Sequence, residues 1–242
     1  MRCRMLLVGL FAITSLPGAV IDTTNPGTVA AFQAGATVNG FEAISGITPM
    51  AITAYTNGVP VSAGATLFNQ IPGVRFSVGG NPGSFQTEPV VFQLGGGIAG
   101  DAKSPPNVLG PADMSGNTKF DGFIEVFFPI KVDRVGFWLN PSRGTAVIIA
   151  KSTQIAFDPG GNEVQLESSG TLSAGHFVGF QRATADIGGI TILATSNTGI
   201  TIDDLTFHVG AATVVPEPGT LGLCLAAVVA VLVGRRRLKW RE

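Results

Sequence analysis

Two carboxylic acids facing one another are all that hydrolysis of a glycosidic bond requires, and Glu125, Glu163 and Glu167 stand on strand-like runs from which such a pair would be drawn. Nothing in their spacing singles out a pair. The histidines are only His176 and His208, so a histidine-based triad or zinc cluster has few members, and no G-x-S-x-G, H-E-x-x-H or Cys-x-x-Cys motif occurs. Gly95, Gly97 and Gly100 satisfy G-x-G-x-x-G after a strand-like run. The next residues, Asp101-Ala102-Lys103-Ser104-Pro105-Pro106, do not open the helix a dinucleotide site needs, so the segment reads as a glycine-rich loop. Trp138 has the chemistry to stack on a sugar ring, but its apolar neighbours Phe137 and Leu139 favour a core position. With one Tyr and two Trp in the chain, a glycan platform is thin, and the sixteen Phe suit cores.

The elements that must position these groups are strands. Runs rich in Val, Ile, Thr and Phe cover residues 51–55, 74–78, 89–94, 122–128, 134–139, 145–150, 155–157, 163–167, 176–180, 190–194 and 200–209. Gly, Pro, Asn and Asp clusters such as Thr56-Asn57-Gly58 and Asn140-Pro141-Ser142-Arg143-Gly144 separate them. This cadence predicts an all-β fold, an antiparallel β-sandwich. The alternation along 200–209 slips at Asp204-Leu205, which predicts a bulge. No internal window carries a helical stripe, and 33 glycines with 15 prolines oppose long helices. Residues 95–116 read as a long loop around Ser104-Pro105-Pro106-Asn107, suited to a lid.

Charge and cysteine usage narrow the function class. Between residues 20 and 215 there are fourteen acidic and eight basic side chains, and an acidic surface repels phosphate backbones, so nucleic acid is not an expected partner. The only cysteines, Cys3 and Cys224, lie near the two ends, so the intervening domain depends on its core rather than on disulfides. At the N-terminus Arg2 and Arg4 precede an apolar run at 5–13, and Ser15, Pro17, Gly18 and Ala19 come after it. That is the layout of a secretory signal peptide cut near Gly18 or Ala19. At the C-terminus an apolar run at 221–233 is followed by Arg235, Arg236, Arg237, Lys239 and Arg241, a basic cluster that marks the cytoplasmic side of a membrane span. The span is at the short limit for crossing a bilayer, which suits a temporary anchor. The expected organisation is a signal peptide at 1–19, a leader at 20–28, the β domain at 29–209, a linker at 210–214 and a tail at 215–242 with a transmembrane helix over 219–234.

The order Pro216-Glu217-Pro218, apolar span, then Arg235-Arg236-Arg237 resembles the PEP-CTERM sorting signal of envelope bacteria. The resemblance covers about the last 27 residues. It implies that an exosortase, an integral-membrane cysteine enzyme, recognises the tail and cuts near Pro216–Pro218. The two prolines keep that stretch extended and outside the adjoining helix. The implied route is export through the inner membrane, transient anchoring with a cytoplasmic C-terminus, then release to the cell surface or the extracellular space.

The domain itself resembles the jelly-roll carbohydrate-binding modules that contain calcium, through Asn39-Gly40-Phe41-Glu42 near its start and Ile202-Asp203-Asp204-Leu205-Thr206-Phe207 at its end. In those folds an early glutamate and a late aspartate bind one structural Ca²⁺ beside the paired terminal strands. The resemblance thus implies a Ca²⁺ held by Glu42 with Asp203 or Asp204, which suits the preference of Ca²⁺ for carboxylate and carbonyl oxygens. Three functions stay open: a non-enzymatic structural or interaction protein linked to exopolysaccharide, a calcium-stabilised glycan-binding module, and a secreted polysaccharide hydrolase. The first is the expectation, with no catalytic residue.

Overall fold

Alternation puts Val135, Phe137 and Leu139 on one side of a strand and Gly136 and Trp138 on the other, and β8 (Arg134–Leu139) divides in that way. The first three join the main core, whereas Trp138 joins a separate cluster. The structure is a computed structural model and describes residues 18–76, 87–113, 115–140, 145–152, 165–195 and 199–210. The sorting motif Pro216-Glu217-Pro218, the basic stop Arg235–Arg237, the apolar span, residues 1–17, the run at 155–157 and Glu163 lie outside the described residues. Among the described residues no helix is long and apolar enough to cross a membrane.

In chain order the elements are β1 (Ala19–Thr23), α1 (Pro26–Gln33), β2 (Thr37–Asn39), β3 (Met50–Ile52), β4 (Arg75–Phe76), β5 (Thr87–Leu94), a 3-10 helix (Gly96–Asp101) and β6 (Asn107–Asp113). Then come β7 (Phe123–Val132), β8, β9 (Ala146–Lys151), β10 (Gln165–Leu172), β11 (Phe177–Gln181), β12 (Ile187–Ala194) and β13 (Ile202–His208). One sheet of eight strands runs β1-β11-β8-β13-β6-β5-β3 with β2 also on β13, and a second of five runs β10-β9-β12-β7-β4. Pairing is antiparallel except for the edge pair β3 and β5. Inward side chains of both sheets, among them Phe137, Val178 and Leu205 from the first and Ile124, Val126 and Ile190 from the second, form the main core of a β-sandwich.

The structure departs from the expectation at two places that matter for the site. Residues 95–116 are not a long loop, because the 3-10 helix and β6 occupy most of them. β6 pairs with β5 along its whole length, and all its residues from Asn107 to Ala112 are buried. A strand covered on both faces has no polar alternation to read, and Gly110 and Pro111 disguise it further. Pro111 is tolerated because it faces Pro89 on β5, where neither residue has an N–H to offer, while its carbonyl accepts from Lys119 N at 3.1 Å.

The second departure is the segment expected as a leader. Residues 19–23 form β1 on the sheet edge, paired with β11, and α1 comes next. Its start is chemically explicit: Asn25 Oδ1 accepts from Gly27 N at 2.8 Å and Thr28 N at 3.3 Å, with Pro26 at the first helical position. At the other end Arg134 donates to the carbonyls of Phe32 and Ala34 at 2.7 and 3.0 Å. With only Val29 and Phe32 buried, the helix is too short for a stripe to stand out. Phe32 descends onto paired Gly136 and Gly179, where an added Cβ would lie 3.0 Å from its ring in each case. These glycines provide the depression into which α1 packs, and burying the ring contributes about 2 kcal/mol.

Candidate functional site

The outer face of the eight-stranded sheet carries two apolar clusters with a polar seam between them. One cluster holds Val29, Phe32, Trp138 and Phe177 under α1, and the other holds Phe92, Val108, Ala102 and Phe120 together with Met50 and Ile52 of β3. The seam begins where β2 ends. Asn39 pairs with Leu205 of β13, and its Oδ1 accepts from Phe41 N at 2.9 Å, which turns the chain sharply. Phe41 takes a left-handed conformation, φ 64°, with its ring buried in the main core. The turn directs its carbonyl and the adjacent Glu42 side chain towards the start of β6. There Asn107 N donates to Glu42 Oε1 and Asn107 Nδ2 to the Phe41 carbonyl, both at 3.0 Å.

The bulge foreseen on the last strand supplies the facing groups. The register of β13 against β8 shifts between Asp203 and Thr206, and Asp204 adopts φ 50°. Its N–H donates to Asp203 Oδ1 at 2.7 Å, which steadies a conformation that Asp tolerates better than most residues. Ser104 then bridges the two acids, donating from N to Asp203 Oδ2 at 2.7 Å and from Oγ to Asp204 Oδ1 at 2.5 Å. Gly40 lies against the same groups, for a Cβ there would meet Asp204 Oδ1 and Ser104 Cβ at 3.1 Å each.

Glu42, Asp203 and Asp204 therefore share one neighbourhood. Burial pushes the Asp203 carboxyl up to about 7 despite the Ser104 N–H, and the Asp204 charge adds to it. The Glu42 carboxyl is raised by burial, opposed by the Asn107 N–H, and again by the Asp204 charge. Asn107, 3% exposed, has a side-chain oxygen with no hydrogen-bond partner. Carboxylate and amide oxygens are the ligand types a hard cation takes, whereas the Phe41 carbonyl is already engaged by the Asn107 amide N–H. Among the described residues no group of three or more His, Cys, Asp or Glu side chains is placed to hold a metal by itself. A cation here would need the Asn107 oxygen in addition to the acids. Neither Asn107 nor Ser104 carries a motif in the sequence. The one signal in the sequence is Pro105-Pro106 ahead of Asn107-Val108-Leu109, an extended entry to a strand.

Asp203 also faces a cavity of about 240 Å³ lined by residues including Asp101, Lys103, Val108, Trp138 and Asn140. Trp138 is 9% exposed, packs edge-on to Phe177 with ring centres 5.6 Å apart, and carries Lys103 Nζ 4.3 Å from its ring centre. Behind the cavity Tyr55 OH donates to Asp101 Oδ2 at 3.1 Å, while Asn140 Nδ2 donates to Tyr55 OH and to Thr201 Oγ1.

The remaining candidates fall elsewhere. Glu125 lies on β7 in the other sheet, 93% buried, and accepts from Lys151 Nζ at 3.3 Å and Thr191 Oγ1 at 3.1 Å. His176 Nδ1 lies 2.6 Å from Asp22 Oδ1 on β1, and His208 Nδ1 lies 2.7 Å from Asp133 Oδ1, so each histidine ties a strand to a neighbouring segment.

No protein-family model matches the chain, and no curated protein matches it in sequence. Among solved structures it is similar to the carbohydrate-binding module TmCBM61 in complex with beta-1,4-galactotriose, at 17% identity over 55% of this chain and 82% of that one, with a TM-score of 0.26. A superposition that loose carries no weight for ligand or site.

Proposed function

We propose that this chain is an exported cell-surface or matrix protein, sorted by an exosortase through its C-terminal tail and associated with exopolysaccharide. Its jelly-roll-like sandwich acts as a non-catalytic binding module held in shape by one Ca²⁺. The observation that supports the cation is the buried Asn107 oxygen without a hydrogen-bond partner, on a residue that also bonds Glu42 and the Phe41 carbonyl, with Asp203 and Asp204 linked through Ser104 on the same seam. Bound there, Ca²⁺ supplies positive charge that offsets the repulsion among the acids and joins the turn after β2 to the bulge of β13. This chain's own residues do the rest. Asn39 caps the turn, Ser104 orients Asp203 and Asp204, and β2 pairing to β13 brings the two segments together. A hydrolytic reading has less support, because Glu125 is committed to Lys151 and Thr191 on the opposite sheet.

Two measurements test this reading. Calorimetric titration of the full chain with Ca²⁺ is expected to give one binding event per chain, weakened at least about tenfold by Asn107→Ala, the order of a lost ligand contact. Absence of any heat at millimolar Ca²⁺ would overturn the cation. For the sorting tail, intact-mass analysis of protein from envelopes that contain an exosortase is expected to show a chain ending near Pro216–Pro218. A mass retaining Arg235 to Glu242, or processing that survives replacement of Pro216-Glu217-Pro218 by alanines, refutes that route.

A further inference from the structure

We propose that the cavity beside Trp138 is a binding site for a single neutral sugar ring, the end residue of a glycan or a free monosaccharide, with Lys103 as a side chain that leaves the indole face when the ring enters. The inference rests on the binding-module reading and names the ligand for its outer face. Size comes first. About 240 Å³ falls below the roughly 300–1,000 Å³ of pockets that enclose drug-sized ligands, so the space suits one ring and not a chain.

Chemistry narrows the class. The lining joins an indole to Asp101, Asp203, Lys103 and Asn140, an apolar platform with converging donors and acceptors. A wholly apolar ligand would strip water from these charged groups without replacing its hydrogen bonds. An anionic ring would meet the Asp101 carboxylate, and Asp203 holds both its oxygens on the Ser104 and Asp204 N–H groups. A pyranose without charge matches both parts, its C–H face against the indole and its hydroxyls on the acids, the ammonium and the amide. The platform is braced for that task by Phe177 at its edge, and the polar wall is fixed by the Asp101–Tyr55–Asn140–Thr201 chain of hydrogen bonds. Lys103 is exposed, and its contact with the indole is of the weak, solvent-facing kind, readily exchanged for the C–H face of a sugar.

The test uses the full chain with Trp240→Phe in detergent, so that Trp138 supplies the only indole signal in ¹⁵N NMR. Glucose, galactose and mannose serve as neutral rings, glucuronate as the anionic ring and glucosamine as the cationic one, each titrated in Ca²⁺ and in chelator. A saturable shift of the Trp138 indole resonance with at least one neutral ring is expected. Asp101→Asn should weaken it about tenfold, the loss typical of one charged hydrogen bond. Gly100→Leu should abolish it by filling the space. Gly100 lines the cavity and nothing lies within 4 Å of a Cβ built on it, so this variant adds bulk without a clash from that atom. No shift with any neutral ring, a response confined to glucosamine, or a shift unchanged in Gly100→Leu each overturns the proposal. If Ca²⁺ binds in the calorimeter while no neutral sugar moves the indole, this inference fails alone. If sugars act without any calcium heat, the cation fails alone and the sugar site stands.

Discussion

Excess Ca²⁺ is expected to raise the melting midpoint of the full chain by several degrees over its value in excess chelator. Burial raises the carboxyl groups of both Glu42 and Asp203, and the Asp204 charge adds to each. Folding brings Glu42 to Asp204 and adds a repulsion that the unfolded chain lacks, since residue 42 is then far from residue 204. A cation that binds only the folded form stabilises it by mass action, about 2.7 kcal/mol when its concentration is a hundred times the dissociation constant. For a domain of this size each kcal/mol shifts the midpoint by about 2–4 °C. Glu42→Gln, or Asp203→Asn with Asp204→Asn, should erase the difference between calcium and chelator. Asn107→Ala should reduce the calcium response and also lower the midpoint in chelator, since it removes a neutral oxygen and the bond to the Phe41 carbonyl. Equal midpoints for the parent chain in calcium and in chelator would end the case for a cation at this seam.

Gly199→Ala should lower the midpoint by about 10 °C or prevent folding, whereas Gly46→Ala should cost only about 1 kcal/mol. Both glycines have left-handed φ, 80° and 79°, so the conformational penalty is similar. They differ in space. Nothing lies within 4 Å of a Cβ at Gly46, while at Gly199 it would fall 2.3 Å from the Phe120 carbonyl carbon and oxygen and 2.5 Å from Phe120 Cβ. That backbone has little room to withdraw. Phe120 O accepts from Ile200 N at 2.7 Å, Phe120 N donates to Asn57 Oδ1 at 2.8 Å, and its ring is wedged against Phe92 and Tyr55 at 5.0 and 5.2 Å. Overpacking against fixed backbone belongs at the upper end of the usual range, about 3 kcal/mol or more. Tyr55 also buttresses Asp101 and Asn140, so any folded fraction of Gly199→Ala is expected to show a disturbed cavity wall. Similar midpoints for the two variants in thermal denaturation would contradict this account.

The sequence by itself determined the class of fold and most of its strands, because those features are local. Residues 134–139 alternate over a stretch bounded by turn residues, and β8 occupies that stretch. The slip at Asp204-Leu205 breaks alternation within a few residues, and the bulge of β13 falls there. Side-chain alternation fails where both faces of a strand are covered, so β6 was hidden in an apparent loop, and α1 is too short for its apolar residues to show a period although Asn25-Pro26 marks its start. The acids of the seam could be named from the two ends of the domain. Their completion could not, since Asn107 and Ser104 join them only when β6 enters the centre of the sheet between β5 and β13. Trp138 shows the same limit more sharply. Its apolar neighbours place it in a core, and it is largely buried, but the core it joins lies on the outer face under α1, beside a cavity whose other walls come from residues 100–103, 108, 140, 175 and 202–203. Pairing register sets which face a residue takes. The order of strands in the sheet sets its neighbours on that face, and only the tertiary structure contains that order.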